Sequence, residues 1–97
     1  MNENNRKIIE VNCALYSSIA QVHEFLKEQL NFPEYYGKNL SALYDVLTES
    51  CELRRIVFVL TGVSDEDYYE ALKKMIVVLL DASFDNKTLQ VNIVKYE

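Results

Sequence analysis

The 97 residues predict a small two-layer α/β domain built on a three-stranded parallel sheet, in the order β-α-α-β-α-β. Three observations predict it. Ile56-Val57-Phe58-Val59-Leu60 is an unbroken apolar run, the pattern of a central strand covered on both faces. Apolar residues recur at steps of three and four in three separate stretches, which is helical spacing. Short β-type runs near both ends are separated from the central run by those stretches, and strands separated by helices pair in parallel.

Taken in order, residues 1–5 read as a flexible tail, and Ile8, Ile9 and Val11 mark the first strand. Ser18 with Gln21 is a capping-box pair, and Ile19, Val22, Leu26 and Leu30 form a stripe behind it, so a helix is expected over Ile19 to Leu30. Pro33 and the restriction it places on Phe32 end that helix. Gly37 suits a tight turn with a positive φ, and Asn39 is the expected N-cap of a second helix reaching about Ser50. In that helix Leu40, Leu43, Tyr44 and Leu47 define the buried stripe, while Ser41, Asp45, Thr48 and Glu52 recur on a polar side. Asp45 is therefore expected in solvent.

After the central strand, Ser64 with Asp67 is read as the start of a third helix, whose first-turn acids complement the helix dipole. Tyr68, Leu72, Met75, Ile76 and Leu79 then track one face to about Phe84. Asp85-Asn86-Lys87-Thr88 breaks the pattern. Leu89, Val91 and Ile93 alternate with Gln90 and Asn92, giving a last strand with one face partly wet. One domain over residues 1–97 is expected, since a chain this long buries a single modest core.

Composition narrows the function classes. Net charge is −5, and the acids cluster: residues 65–85 hold six against two lysines. That balance argues against direct binding of nucleic acid, whose phosphates require clustered cations, and suits a basic protein partner. Seven tyrosines add contact area with polar tips, a combination suited to interfaces. Two glycines cannot build a phosphate cradle, and no Ser-His-Asp, Cys-His or paired-His constellation stands out, so neither catalysis nor a cofactor nor a metal is expected. His23, at the edge of its stripe, reads as a packing or hydrogen-bonding residue. Cys13 and Cys51 fit no metal or redox spacing and read as reduced, buried thiols. The polar first residues lack an apolar signal core, and the longest aliphatic run, Met75 to Leu80, is six residues. The expectation is a cytoplasmic protein without a membrane span, acting as a monomer.

Pro33-Glu34-Tyr35-Tyr36-Gly37-Lys38-Asn39-Leu40, with Ala42-Leu43 and Asp45, resembles the signature of the barstar family, intracellular inhibitors of barnase-type secreted ribonucleases. The likeness extends upstream through Ser18, His23, Leu26, Lys27 and Leu30 and is collinear over essentially the whole chain. It implies the same α/β fold. It also implies that the loop and the second helix plug a nuclease active site. Asp45 matches the carboxylate anchor that occupies the nuclease's phosphate pocket, and Tyr35 matches the tyrosine that covers its catalytic histidine. Tyr36, Gly37, Asn39, Leu40 and Thr48 match positions lining the contact, and Asp81 matches a peripheral glutamate. The barnase–barstar pair is itself a standard example of electrostatic steering, so that property comes with the resemblance.

The chain departs from the pattern at four places. Ser41 stands where a second aspartate is usual, and Tyr44 where a tryptophan packs behind the loop. Glu49 and Ser50 replace a Gly-Trp pair. These departures direct the expectation to a relative of barnase as partner, with specificity set at the rim. A barstar-like interaction module for a non-nuclease partner is the alternative. From periodicity alone the same residues also fit a plain solvated helix face with packed tyrosines.

Overall fold

A computed structural model of the chain describes residues 5–96. It comprises strand β1 (Lys7–Asn12), a 3-10 turn (Cys13–Leu15), helix α1 (Ile19–Leu30), helix α2 (Leu40–Glu49), strand β2 (Arg54–Val59), helix α3 (Glu66–Asp85) and strand β3 (Leu89–Val94). The element order is the predicted one. Of the tail expected over residues 1–5, residues 1–4 lie outside the described residues.

The sheet runs β1-β2-β3 with both pairs parallel. Ile9, Ile56 and Val91 stand level across it, and Val11, Phe58 and Ile93 follow one pleat on. Because side chains alternate along a strand, Ile9, Val11, Ile56, Phe58 and Leu89 all turn to one face, where they join Val22, Leu26, Leu43, Leu47, Leu72, Met75 and Leu79 of the helices in one core. Leu43 and Leu47 are fully buried. At about 1.5–3 kcal/mol for each such side chain, their burial is what seats α2 on the rest of the molecule.

The central strand departs from expectation. Its residues alternate between buried (Arg54, Ile56, Phe58) and half-buried (Arg55, Val57, Val59), so helices cover one face rather than two. Two layers leave no third to cover the other side. There Val57 lies between Glu10 and Asn92, and Val59 between Asn12 and Val94, so neighbours on the pleat shield them only from the flanks.

Two smaller differences have local causes. The N-cap of α3 is Asp65, not Ser64: its carboxylate accepts the Tyr68 N–H at 2.8 Å, leaving Glu66 and Asp67 in the first turn. A carboxylate is the stronger acceptor beside a helix dipole. Both cysteines are free, but Cys51 is exposed. Only Cys13 fits the buried reading, and there burial pushes the thiol up to about 12, out of reach of thiolate chemistry near neutrality.

Candidate functional site

The segment between α1 and α2 is held by local bonds at each step. Asn31 takes a left-handed φ of 55° and closes α1, with its N–H on the Lys27 carbonyl. The Tyr36 N–H then donates to the Pro33 carbonyl at 2.9 Å, a tight turn started by the proline ring. Adjacent tyrosines in that turn diverge. Tyr35 is 88% exposed, and Tyr36 is only 6% exposed.

Tyr36 was expected to line a partner contact; its ring instead belongs to the core. It packs on Phe32 with centroids 4.8 Å apart and on His23 at 5.8 Å. Its hydroxyl meets His23 Nδ1 at 2.6 Å, giving the buried phenol the polar partner it needs. Tyr36 therefore positions the loop from beneath while Tyr35 is presented above it.

Burial, with the nearby Lys38 ammonium adding to it, lowers the His23 pKa below its usual 6.5. The cost of burying a charged imidazole is what holds the ring neutral. The unfolded chain takes up a proton near 6.5 that the folded chain resists. The His23 contribution to stability is thus complete above that value and declines as pH falls below it. Urea midpoints of the wild type should fall from pH 6.5 to about 5, above the range where ordinary carboxylates titrate. His23→Gln should flatten that slope, and an unchanged slope would assign the loss to another group.

Gly37 does not adopt the positive φ expected of it. The left-handed residue is its neighbour Lys38, at φ 53°, whose ammonium lies 2.5 Å from Glu24 of α1. What is tight at Gly37 is space. A Cβ there would lie 2.9 Å from Asn39 Nδ2. Asn39 is the N-cap of α2, its Oδ1 accepting the Ala42 N–H at 2.8 Å. Gly37→Ala should therefore cost about 1 kcal/mol, as Asn39→Ala should, because each removes the same cap. In thermal denaturation the double variant should be little worse than either single one; additive losses would separate the two roles.

On α2, Ser41 and Asp45 are exposed and Leu40, Tyr44 and Thr48 are half-buried. Leu40, Ser41, Tyr44 and Asp45 line a shallow groove with Val78 of α3. The Tyr44 hydroxyl donates to the Asp85 carboxylate across that groove. This bond, together with burial and the charges of Asp85, Asp81 and Asp45, raises the phenol above its usual pKa. Asp81, distant in sequence, is thus brought to the same acidic surface as Asp45. The Thr48 hydroxyl is committed within the helix, donating to the Tyr44 carbonyl at 2.8 Å. Asn39 and Thr48 therefore act on the helix itself, whereas Tyr35, Ser41, Asp45 and Asp81 are open to a partner.

Two residues that sequence reasoning did not assign hold the far end of α2. Arg54, buried in β2, donates from Nη2 to the Leu47 carbonyl and from Nε to the Glu52 carbonyl, both at 3.0 Å. Asn86 Nδ2 faces the carbonyls of Leu47, Thr48 and Ser50 at 3.0, 3.2 and 2.8 Å. These groups satisfy acceptors that a helix C-terminus leaves open, and the guanidinium also complements the dipole. With Asn39 at one end and Arg54 and Asn86 at the other, the carboxylate of Asp45 is carried on a helix fixed at both ends.

Among the described residues, no group of three or more His, Cys, Asp and Glu side chains could hold a metal ion, and no helix is long and apolar enough to cross a membrane. A family model described as Barstar (barnase inhibitor) matches residues 6–94. The chain is also 49% identical over 43 residues to a Bacillus subtilis (strain 168) protein named "Putative ribonuclease inhibitor YrdF". That stretch covers 44% of this chain and 46% of the relative, less than half of the relative's length.

Proposed function

This chain belongs to the barstar family, and on that premise we propose that it inhibits a small, basic, barnase-type ribonuclease by occluding its active site. Asp45 takes the place of the RNA phosphate, paired with the cations that bind phosphate in the enzyme. Tyr35 covers the enzyme's catalytic residues, and Asp81 pairs at the rim. The role is binding, not turnover. The inhibitor acts as a monomer in the cytoplasm of its producer, as an immunity protein or antitoxin against the nuclease.

The observation that carries this reading is the solvent-facing Asp45 on an α2 capped at both ends, beside Asp81 and Asp85. A carboxylate held before binding loses little freedom on binding. The surrounding acids also draw a basic partner inward. Raising salt from 0.1 M, where screening extends to ~10 Å, to 1 M, where it extends to ~3 Å, should slow association.

The test is titration of the protein into a panel of barnase-type ribonucleases with RNA as substrate. Stoichiometric loss of activity in at least one supports the reading. No inhibition across the panel, with a non-nuclease recovered in pull-downs, favours the alternative of an interaction module for another partner. Ser41 and Glu49, exposed where the family has other residues, are what keep that alternative open.

A further inference from the structure

The inner side of α3 meets the needs of the fold with Tyr68, Leu72, Met75, Leu79 and Ala82. The outer side of a helix so placed is ordinarily polar. Here Val77, Leu80 and Phe84 fall at i, i+3 and i+7 on that outer side and are 58%, 43% and 76% exposed. Asp81 lies one turn from Val77 along the same helix, and its charge reaches Tyr44 of the groove. The apolar line and the acidic groove therefore meet at Asp81.

We propose that this line on α3 is a second contact patch for the same basic nuclease. It would take apolar side chains flanked by Lys or Arg on the enzyme. The inference rests on the inhibitor reading above and goes beyond it by adding a surface whose chemistry is apolar. Charge decides among possible occupants. Asp45, Asp81 and Asp85 all bear on Tyr44 at the edge of the line. A second copy docking here would bring those carboxylates against their own counterparts, whereas a cationic rim neutralises them.

The test compares four proteins against the ribonuclease panel: wild type, Asp45→Ala, the double variant Leu80→Ser/Phe84→Ser, and Ile8→Ser. Ile8 is an exposed apolar residue of β1, on the sheet face opposite the helices, and serves as the control. Because the α3 side chains are exposed, the double variant should keep its thermal midpoint. It should inhibit about tenfold or more weakly, as loss of an apolar anchor at an interface does, with Ile8→Ser unchanged. Unchanged inhibition by the double variant, with inhibition lost in Asp45→Ala, overturns the α3 patch and leaves the inhibitor reading standing. A wild type that inhibits no member of the panel overturns both. Self-association of the wild type that disappears in the double variant, by sedimentation, also overturns the patch by assigning it to a second copy.

Discussion

Replacing Asp45 by alanine is expected to weaken inhibition of the cognate ribonuclease by about two to four orders of magnitude while leaving the thermal midpoint in place. The size follows from what the substitution leaves behind. In the complex the anchor would lie among cations built to hold a phosphate, and removing one member of a desolvated, hydrogen-bonded charge pair costs about 3–5 kcal/mol because the other member stays buried and unpaired. The stability expectation follows from position. Asp45 faces solvent, while Leu43 and Leu47 on the other side of the helix do the packing. Asp45→Asn separates charge from shape: it keeps the outline and should lose nearly as much. Inhibition constants, with circular dichroism to verify folding, decide the matter. A folded Asp45→Ala protein that inhibits as well as wild type would falsify the anchor assignment.

Asn86→Ala should be the most damaging polar substitution outside the core, lowering stability by about 2–3 kcal/mol, or about 10–20 °C in thermal midpoint for a chain of this size. Its carboxamide donates toward three carbonyls at the end of α2, and its Oδ1 accepts from the Thr88 N–H and hydroxyl at 3.1 and 2.8 Å. Its own N–H closes α3 on the Ala82 carbonyl, but alanine keeps that bond. The loss is therefore confined to side-chain bonds that tie the site helix to the α3–β3 turn. Asn86→Asp should be at least as damaging, since a carboxylate cannot donate and sets negative charge against the negative end of the α2 dipole. Lys87→Ala, at the neighbouring exposed position, should stay within about 0.5 kcal/mol of wild type. Equal midpoints for Asn86→Ala and Lys87→Ala would show that the α2 terminus is held by Arg54 without it.

How far the site was legible depends on the reach of each interaction. The Asn39 cap and the Ser18–Gln21 capping box join residues three apart, so the order of residue types predicts them and the structure contains both. The apolar stripes of the three helices and the parallel order of the strands were legible for the same reason: periodicity records which side of an element faces apolar neighbours. Tyr35 and Tyr36 mark where that legibility ends. They are chemically identical and adjacent, and only the turn at Pro33 decides which one meets His23 and which one meets solvent. Gly37 shows the same limit, because a glycine required for space and one required for a positive φ read alike until the neighbouring backbone is known.

The sequence by itself thus determined the kinds and order of the elements, the solvent-facing place of Asp45 on its helix, and the resemblance that directs attention to that residue. Tertiary structure alone decided what fixes the helix and what surrounds the anchor. Asn86 reaches α2 across 36 to 39 residues, and Tyr44 reaches Asp85 across 41. The half-buried face of β2 is likewise a property of the whole assembly, since a strand cannot record how many layers will cover it. Contacts of that span are set by how helices and sheet pack once the core has formed, and no local pattern of residue types encodes them.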